Sequence, residues 1–504
     1  ASFNAGISTH NILGFVSNNG TITSSGTLNF IPSSPKTLNL GTNFSSTGLV
    51  NFGGTGAITL AGNPASFNNI LISNTNAAGI MPSSAWGISN NFTVNNGSIF
   101  NAGNYTHSIA GNVLNNGTIN SGTSTFLLNG TTIQDVYSNS AFNNLTVNKS
   151  SGTVTLYSDI TINGVLNFMA GQIHTGINKV IQPSTGSVTG AAQSTGWVNG
   201  SMQKNIATGI TAKTFEVGDD NIFSPVFVSF GNVTTSGNLK VSAVVSEHPY
   251  LNSSSINAVK NVNRYWVFTN NGVGFTNYDA TFKYAATDID AGSTSSLFGA
   301  GLYTGSTWLY PATGIITDTS AIITAATTFG EIAIGEICNK GTTISYPASP
   351  YCSASGTAAV TLTGNTGGTY SSAAGLTIDA ATGLVTLATS IPGSYEVTYS
   401  IGSTGECPSY ITSANIVITP APVATGSYTG SPYCSGGGMA YPSGSSNASG
   451  LFSSTTGLVI DPVTGGIDLA ASTLGSYTVT YTVAAAGGCG LYQTTTSVSI
   501  AAPG

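Results

Sequence analysis

Apolar residues in this chain come in short runs, often alternating with polar ones, and the runs are broken by Gly, Asn, Ser and Pro. Pro225-Val226-Phe227-Val228-Ser229-Phe230 and Arg264-Tyr265-Trp266-Val267-Phe268 have the two-residue period of half-buried strands. No stretch holds a 3.6-residue apolar period long enough for a helix, so the pattern predicts an all-β protein. Residues 1 to about 195 read as many short strands. Asn95-Asn96-Gly97-Ser98-Ile99 and Asn115-Asn116-Gly117-Thr118-Ile119 lie 20 residues apart, and Asn18-Asn19-Gly20-Thr21-Ile22 is of the same type. Ala65-Ser66-Phe67-Asn68-Asn69-Ile70 returns as Ser140-Ala141-Phe142-Asn143-Asn144-Leu145, with an echo at Ala1-Ser2-Phe3-Asn4. The spacing is about one coil of a parallel β-solenoid, with Asn-Gly at the corners. A hairpin sandwich, with Asn-Gly as the turns, is the alternative.

Residues 341–422 and 423–504 are one 82-residue unit written twice without a gap. Pro350-Tyr351-Cys352 recurs as Pro432-Tyr433-Cys434, and Gly393-Ser394-Tyr395 recurs as Gly475-Ser476-Tyr477. Each copy has about seven short strand candidates, which suits an immunoglobulin-like sandwich. The expected order is a parallel β-solenoid (1–195), a β-sandwich (196–337), a linker (338–350) and two tandem immunoglobulin-like repeats (341–422 and 423–504). Pro420-Ala421-Pro422 should be stiff and space the repeats apart.

Charge changes the picture. Only 5% of the 504 residues are Asp, Glu, Lys or Arg, against about 25% in ordinary domains. Lys36 is the sole charged residue among the first 134. Residues 1–195 hold two carboxylates, Asp135 and Asp159, and three lysines, Lys36, Lys149 and Lys179. Such strands lack the charges that normally block edge-to-edge association. The ten basic residues, one of them Arg, exclude a nucleic-acid surface. No continuous apolar stretch is long enough for membrane insertion by a helix. Ala1-Ser2-Phe3-Asn4 is no signal peptide and reads as a mature end after processing.

Each repeat carries two cysteines 55 residues apart, which predicts the disulfides Cys352–Cys407 and Cys434–Cys489 and an oxidising compartment. Cys338 is left over, unpaired in a linker or used in an intermolecular crosslink. Asp219, Asp220, Asp288 and Asp290 are candidate ligands of a structural Ca2+, with Glu216 and Asn221 beside the first pair. No other cofactor is expected. Asp379 and Asp461 recur in Ile-Asp-x-x-Thr-Gly, where a carboxylate accepting turn N–H groups is expected. Asp135 and Asp159, about one coil apart, are the only pair that could serve a polysaccharide-cleaving site, and with no Arg and few Lys nearby a solvated surface or turn role is expected instead. His10, His107, His174 and His248 are scattered singly and read as surface or packing residues. Among the aromatics, Trp86, Trp197, Trp266 and Trp308 are well separated; a sugar platform competes with burial in cores.

Ile160-Thr161-Ile162-Asn163-Gly164-Val165-Leu166, Thr195-Gly196-Trp197-Val198-Asn199-Gly200 and the Pro-Tyr-Cys repeats resemble the large adhesin-like surface proteins that Bacteroidota secrete through the type IX system. The resemblance implies an exported, cell-surface or extracellular protein. A departure is the lack of a C-terminal sorting domain before Gly504. The leading expectation is a non-enzymatic structural protein, a filament subunit or adhesin stalk that forms a homopolymer through its solenoid. A monomeric adhesin binding surface glycans or host surfaces is the alternative, and a β-helix polysaccharide-degrading enzyme the lesser one.

Overall fold

A computed structural model describes residues 2–64, 66–338, 341–404 and 406–504. Ala1 and Ala65, which open two of the recurring phrases, and Asn339 and Lys340 of the expected linker lie outside the described residues. The chain is all-β, as its pattern predicts, with 53% of residues in strands and only single turns of 3-10 helix. It forms two compact units, residues 1–338 and 339–504.

The first unit opens with a parallel β-solenoid of about ten turns. Each strand pairs in parallel with its counterpart in the next coil, at steps from 18 residues (His10 with Leu28) to 25 (Ile173 with Val198). Parallel pairing decides against the hairpin alternative, which requires antiparallel neighbours. The Asn-Asn-Gly phrases sit at stacked corners. Gly97 has φ +76°, and a Cβ on Gly117 would meet the Asn95 carbonyl oxygen at 2.4 Å, so the corner has no room for a side chain.

Inward positions stack into an aromatic column. Phe30 and Phe52 lie 5.6 Å apart, Phe52 and Trp86 5.7 Å, Trp86 and Phe100 5.3 Å, and Phe126 and Phe142 5.1 Å. Each fully buried aromatic contributes roughly 1.5–3 kcal/mol by leaving water. Outward positions form amide ladders instead. Asn29 donates to Asn11 at 2.8 Å, Asn51 to Asn29 at 3.2 Å, and Ser73 to Asn51 at 2.7 Å. This gives the missing charge a physical reason. Stacking places like positions about 4.8 Å apart, where equal charges repel and amides satisfy one another.

The expected boundary at residue 195 is not a boundary of the core. Val198–Ile206 pairs in parallel with the solenoid strand Ile173–Gln182 and antiparallel with Gly237–Val244. The solenoid sheet therefore runs on into the sandwich, and one hydrophobic cluster extends from Ala5 to Ile334. A second antiparallel sheet, Gly209–Phe215, Val226–Thr235, Tyr278–Lys283 and Ser320–Ala326, completes the sandwich.

In the second unit each repeat has its own core and a four-stranded sheet. In the first repeat the order is Tyr351–Cys352, Tyr410–Thr419, Gly393–Ile401, Thr369–Ser372. The linker is shorter than expected, because Thr343–Ser345 is a strand whose Ile344 is buried in that core. Tyr346 and Tyr428 occupy equal places and donate to Gly383 O (2.7 Å) and Gly465 O (2.6 Å). Burial pushes both phenols up to about 12.

Candidate functional site

The solenoid carries one face where aromatic, amide and carboxylate groups converge. Register places Leu114 beside Tyr137 and Val113 beside Val136, and the next coil places Leu156 beside Val136, so Tyr157 follows Tyr137 up the column. Leu114 and Tyr157 are exposed, Tyr157 by 63%. The adjacent column is Asn91, Asn112 and Asp135. The Asn91 side-chain oxygen accepts the Asn112 N–H at 2.9 Å, and that of Asn112 accepts the Asp135 N–H at 2.8 Å. These bonds fix the amides and leave the half-buried Asp135 carboxylate facing an open depression of about 560 Å3 lined by Tyr137 and Tyr157. A flat apolar ring beside fixed polar groups suits a hydroxyl-rich ring with one apolar face. Sequence reading missed Tyr137 and Tyr157 because only coil register brings them together. It weighed the tryptophans instead, of which Trp86, Trp197 and Trp266 are buried.

Asp135 and Asp159 are not brought together. The residue stacked on Asp135 is Thr155. Asp159 accepts the Lys179 N–H at 3.1 Å and pairs with its ammonium at 3.2 Å. Lys149 turns inward and donates to Gly130 O at 2.8 Å, and burial lowers its pKa.

Two of the four candidate Ca2+ ligands do converge, on a cation the chain supplies itself. The Arg264 guanidinium, 0% exposed, lies 2.5 Å from Asp219 and 3.1 Å from Asp288. Asp219 also accepts the Asn221 and Ile222 N–H groups, and Asp288 that of Ala285. Asp290 accepts from Asn261 N and the Asn263 side chain, and Asp220 from the Asn199 side chain. Glu216 pairs with Lys204 at 2.7 Å; burial raises the carboxyl and lowers the amine. Among the described residues no three His, Cys, Asp or Glu side chains converge as a metal site.

His107 is a packing residue in the aromatic column, its pKa lowered by burial. His248 sits against Trp308 (4.7 Å), Tyr265 (5.0 Å) and Tyr303 (5.1 Å) and bonds Glu331 at 2.7 Å. Burial lowers its pKa and Glu331 opposes the shift. The two turn carboxylates behave as expected. Asp379 accepts the Ala381 and Thr382 N–H groups, and Asp461 those of Val463 and Thr464, and these bonds lower both pKa values.

The disulfides depart from the expected pairing. Cys352 is bonded to Cys489, with Cα atoms 4.7 Å apart, and Cys434 is free and exposed. Cys338 and Cys407 are disulfide-bonded as well, so Cys338 is no spare thiol. Hairpin geometry explains the difference. Cys352 pairs beside Thr419, at one end of the hairpin of Gly393–Ile401 and Tyr410–Thr419. Cys407 lies in the turn at the other end. Nine residue pairs separate the two ends, about 30 Å at strand rise, far beyond disulfide reach. In the second repeat the turn that holds Cys489 folds back on the first, where the Cys489 sulfur reaches Pro420 O at 3.6 Å. The bridge therefore ties repeat to repeat, and Pro420-Ala421-Pro422 does not hold them apart.

No protein-family model matches the chain, and no curated protein is similar to it in sequence. Among solved structures, an I-band fragment (I67–I69) of titin aligns at 8% identity and a TM-score of 0.20, over 44% of this chain and 92% of that one. Drosophila N-cadherin EC1-4 aligns at 9% and 0.22, over 60% and 92%. A SusE-like surface-located polysaccharide-binding protein from the Bacteroides thetaiotaomicron heparin utilisation locus aligns at 11% and 0.14, over 53% and 70%. Likenesses this low carry no argument about what this chain binds. No helix among the described residues is long and apolar enough to cross a membrane.

Proposed function

We propose that this is a non-enzymatic extracellular structural protein, a subunit of a surface filament or an adhesin stalk, that self-associates through its charge-poor solenoid. The observation that carries the reading is the solenoid flank. Over about ten coils it presents amide and hydroxyl ladders, with Lys179–Asp159 as the only lysine–carboxylate pair among its described residues. Little charge keeps neighbouring copies apart, and large aliphatic side chains stand in solvent. The bridge between the repeats supports an oxidising, extracellular setting. The resemblance to type IX-secreted surface proteins of Bacteroidota points the same way. Electron microscopy of the purified chain over a range of concentrations tests the reading: fibres or linear oligomers are expected, and monomers at every concentration would end it.

A second reading, glycan binding by a monomeric adhesin, is favoured by Tyr137, Tyr157 and Asp135 on their shared face. Glycan-array binding that disappears in Tyr137→Ala/Tyr157→Ala is the expected result. An array without signal at high protein concentration would remove this reading.

A further inference from the structure

The bond between the repeats follows a rule that the chain applies at Cys352 and leaves open at Cys434. Cys352 ends the Pro-Tyr-Cys phrase of the first repeat and bonds Cys489, in the turn of the next repeat, 137 residues on. Cys434 ends the same phrase of the second repeat and is free and exposed. Cys407, the turn cysteine of the first repeat, is bonded, but to neither Cys352 nor Cys434. Neither turn cysteine therefore closes on the Pro-Tyr-Cys phrase of its own repeat.

The seat around Cys352 has few parts. The turn that enters it is closed by Ala486 and Cys489, which exchange N–H bonds at 3.1 and 2.9 Å. It bends through Gly487 (φ +58°) and Gly488 (φ +78°). Gly488 lies so close to the first repeat that a Cβ would strike the Pro350 carbonyl oxygen. The Thr419 hydroxyl donates to Gly487 O, and the Cys489 sulfur reaches Pro420 O. Apart from the Thr419 hydroxyl and Cys352 itself, these contacts are made by main-chain oxygens of the first repeat.

The second repeat builds the same seat. Tyr433 and Cys434 pair in parallel with Ile500 and Ala501, as Tyr351 and Cys352 do with Ile418 and Thr419. Ser435 N donates to Ala501 O at 2.8 Å, as Ser353 N does to Thr419 O at 2.9 Å. The Ser431 hydroxyl oxygen accepts the Ser499 N–H at 2.9 Å, and that of Ser349 accepts the Val417 N–H at 2.9 Å. Pro432 stands where the first repeat has Pro350, and Ala502 where it has Pro420; Ala501 replaces Thr419 and omits its hydroxyl. Pro432, Cys434, Ala501 and Ala502 are all exposed. Stacked repeats reuse one nearest-neighbour interface, and here half of that interface stands ready a second time.

We propose that Cys434 is the covalent seat of a third immunoglobulin-like repeat, docked on the second as the second is docked on the first. The turn it accepts carries glycine before its cysteine, because the backbone at Gly488 is left-handed and leaves no room for a side chain. Bond formation takes one proton and one electron from each thiol. A small disulfide such as oxidised glutathione accepts the two electrons by exchange and leaves as two thiols. The inference goes beyond the self-association reading and does not depend on it, since the link extends the row of repeats and leaves the solenoid untouched.

The test appends a copy of residues 423–504 behind Gly504 of the full chain and folds it with reduced and oxidised glutathione. Thiol labelling and non-reducing peptide mass spectrometry then map the bonds. Cys434 should bond the added copy's equivalent of Cys489, which moves the free thiol to the added copy's equivalent of Cys434. Cys434→Ser in the extended chain should raise the labelled thiols from one to two, because the added copy's own cysteines lie at opposite ends of a hairpin and cannot meet. If wrong pairing misfolds the added copy, a serine in place of its Pro-Tyr-Cys cysteine leaves it one thiol, and the extended chain should then label nowhere. A folded extended chain whose Cys434 still labels overturns the proposal, as does an added copy that folds in neither form. Oxidation of the extended chain to a Cys434–Cys434 dimer also overturns it and assigns the thiol to a second copy. Each of these results leaves the self-association reading standing.

Discussion

The solenoid and the modules that follow it are held together in opposite ways. The solenoid repeats weak neutral contacts: amide ladders outside and aromatic stacks inside, each coil copying the last. The sandwich and the immunoglobulin-like repeats rely on single polar locks that occur once per module. These are the Arg264–Asp219–Asp288 cluster, the Cys352–Cys489 bridge and the Asp379 and Asp461 turns. Damage to a repeated contact is local and is borne by its neighbours. A singular lock has no substitute, so its loss should show in full.

The largest effect is expected at Arg264. Arg264→Met leaves two carboxylates buried without their cation and should destabilise the first unit by about 3–5 kcal/mol, read by urea unfolding. A loss below about 1 kcal/mol would show that the cluster is not a lock. Next is the bridge. Cys352→Ala with Cys489→Ala should cost the second unit about 2–4 kcal/mol. Thiol labelling of the native, oxidised wild type should give one adduct, at Cys434; an adduct at Cys489 would contradict the repeat-to-repeat pairing.

Within the solenoid, Asn51→Asp should cost only about 1 kcal/mol, because a carboxylate can still accept from Ser73 but no longer donates to Asn29. Adding Asn29→Asp should cost more than the sum, since like charges then stack one coil apart. Additive losses would remove repulsion as the reason for the missing charge. The smallest effect is at the turn carboxylates. Their folded pKa values lie below the unfolded 3.8, so their stabilisation is present above pH 3.8 and is lost as pH falls through the folded values. Asp379→Asn and Asp461→Asn should flatten the stability of the second unit against pH below 3.8. An unchanged slope would show that these turns contribute nothing.

The alternating runs, the coil-length phrases and the tandem repeat made the all-β class, the solenoid and the repeats legible in the sequence. These are properties of neighbouring or periodic residues, and periodicity survives in one dimension. The turn roles of Asp379 and Asp461 were legible for the same reason, since their partners lie two and three residues away. The continuous core across residue 195 was not legible, because Val198–Ile206 chooses its partners at long range on both sides.

The sequence by itself determined the strand period, the scarcity of charge and the equal spacing of the cysteines. Only the tertiary structure decided what those features mean. Equal spacing places Cys352 and Cys407 at opposite ends of one hairpin, so the bridge must reach the next repeat. One acid from each of the two pairs read as cation ligands meets a buried arginine, because the sandwich folds Arg264 between Asp219 and Asp288. In each case the deciding distance runs through space, across segments whose separation along the chain carries no trace of it.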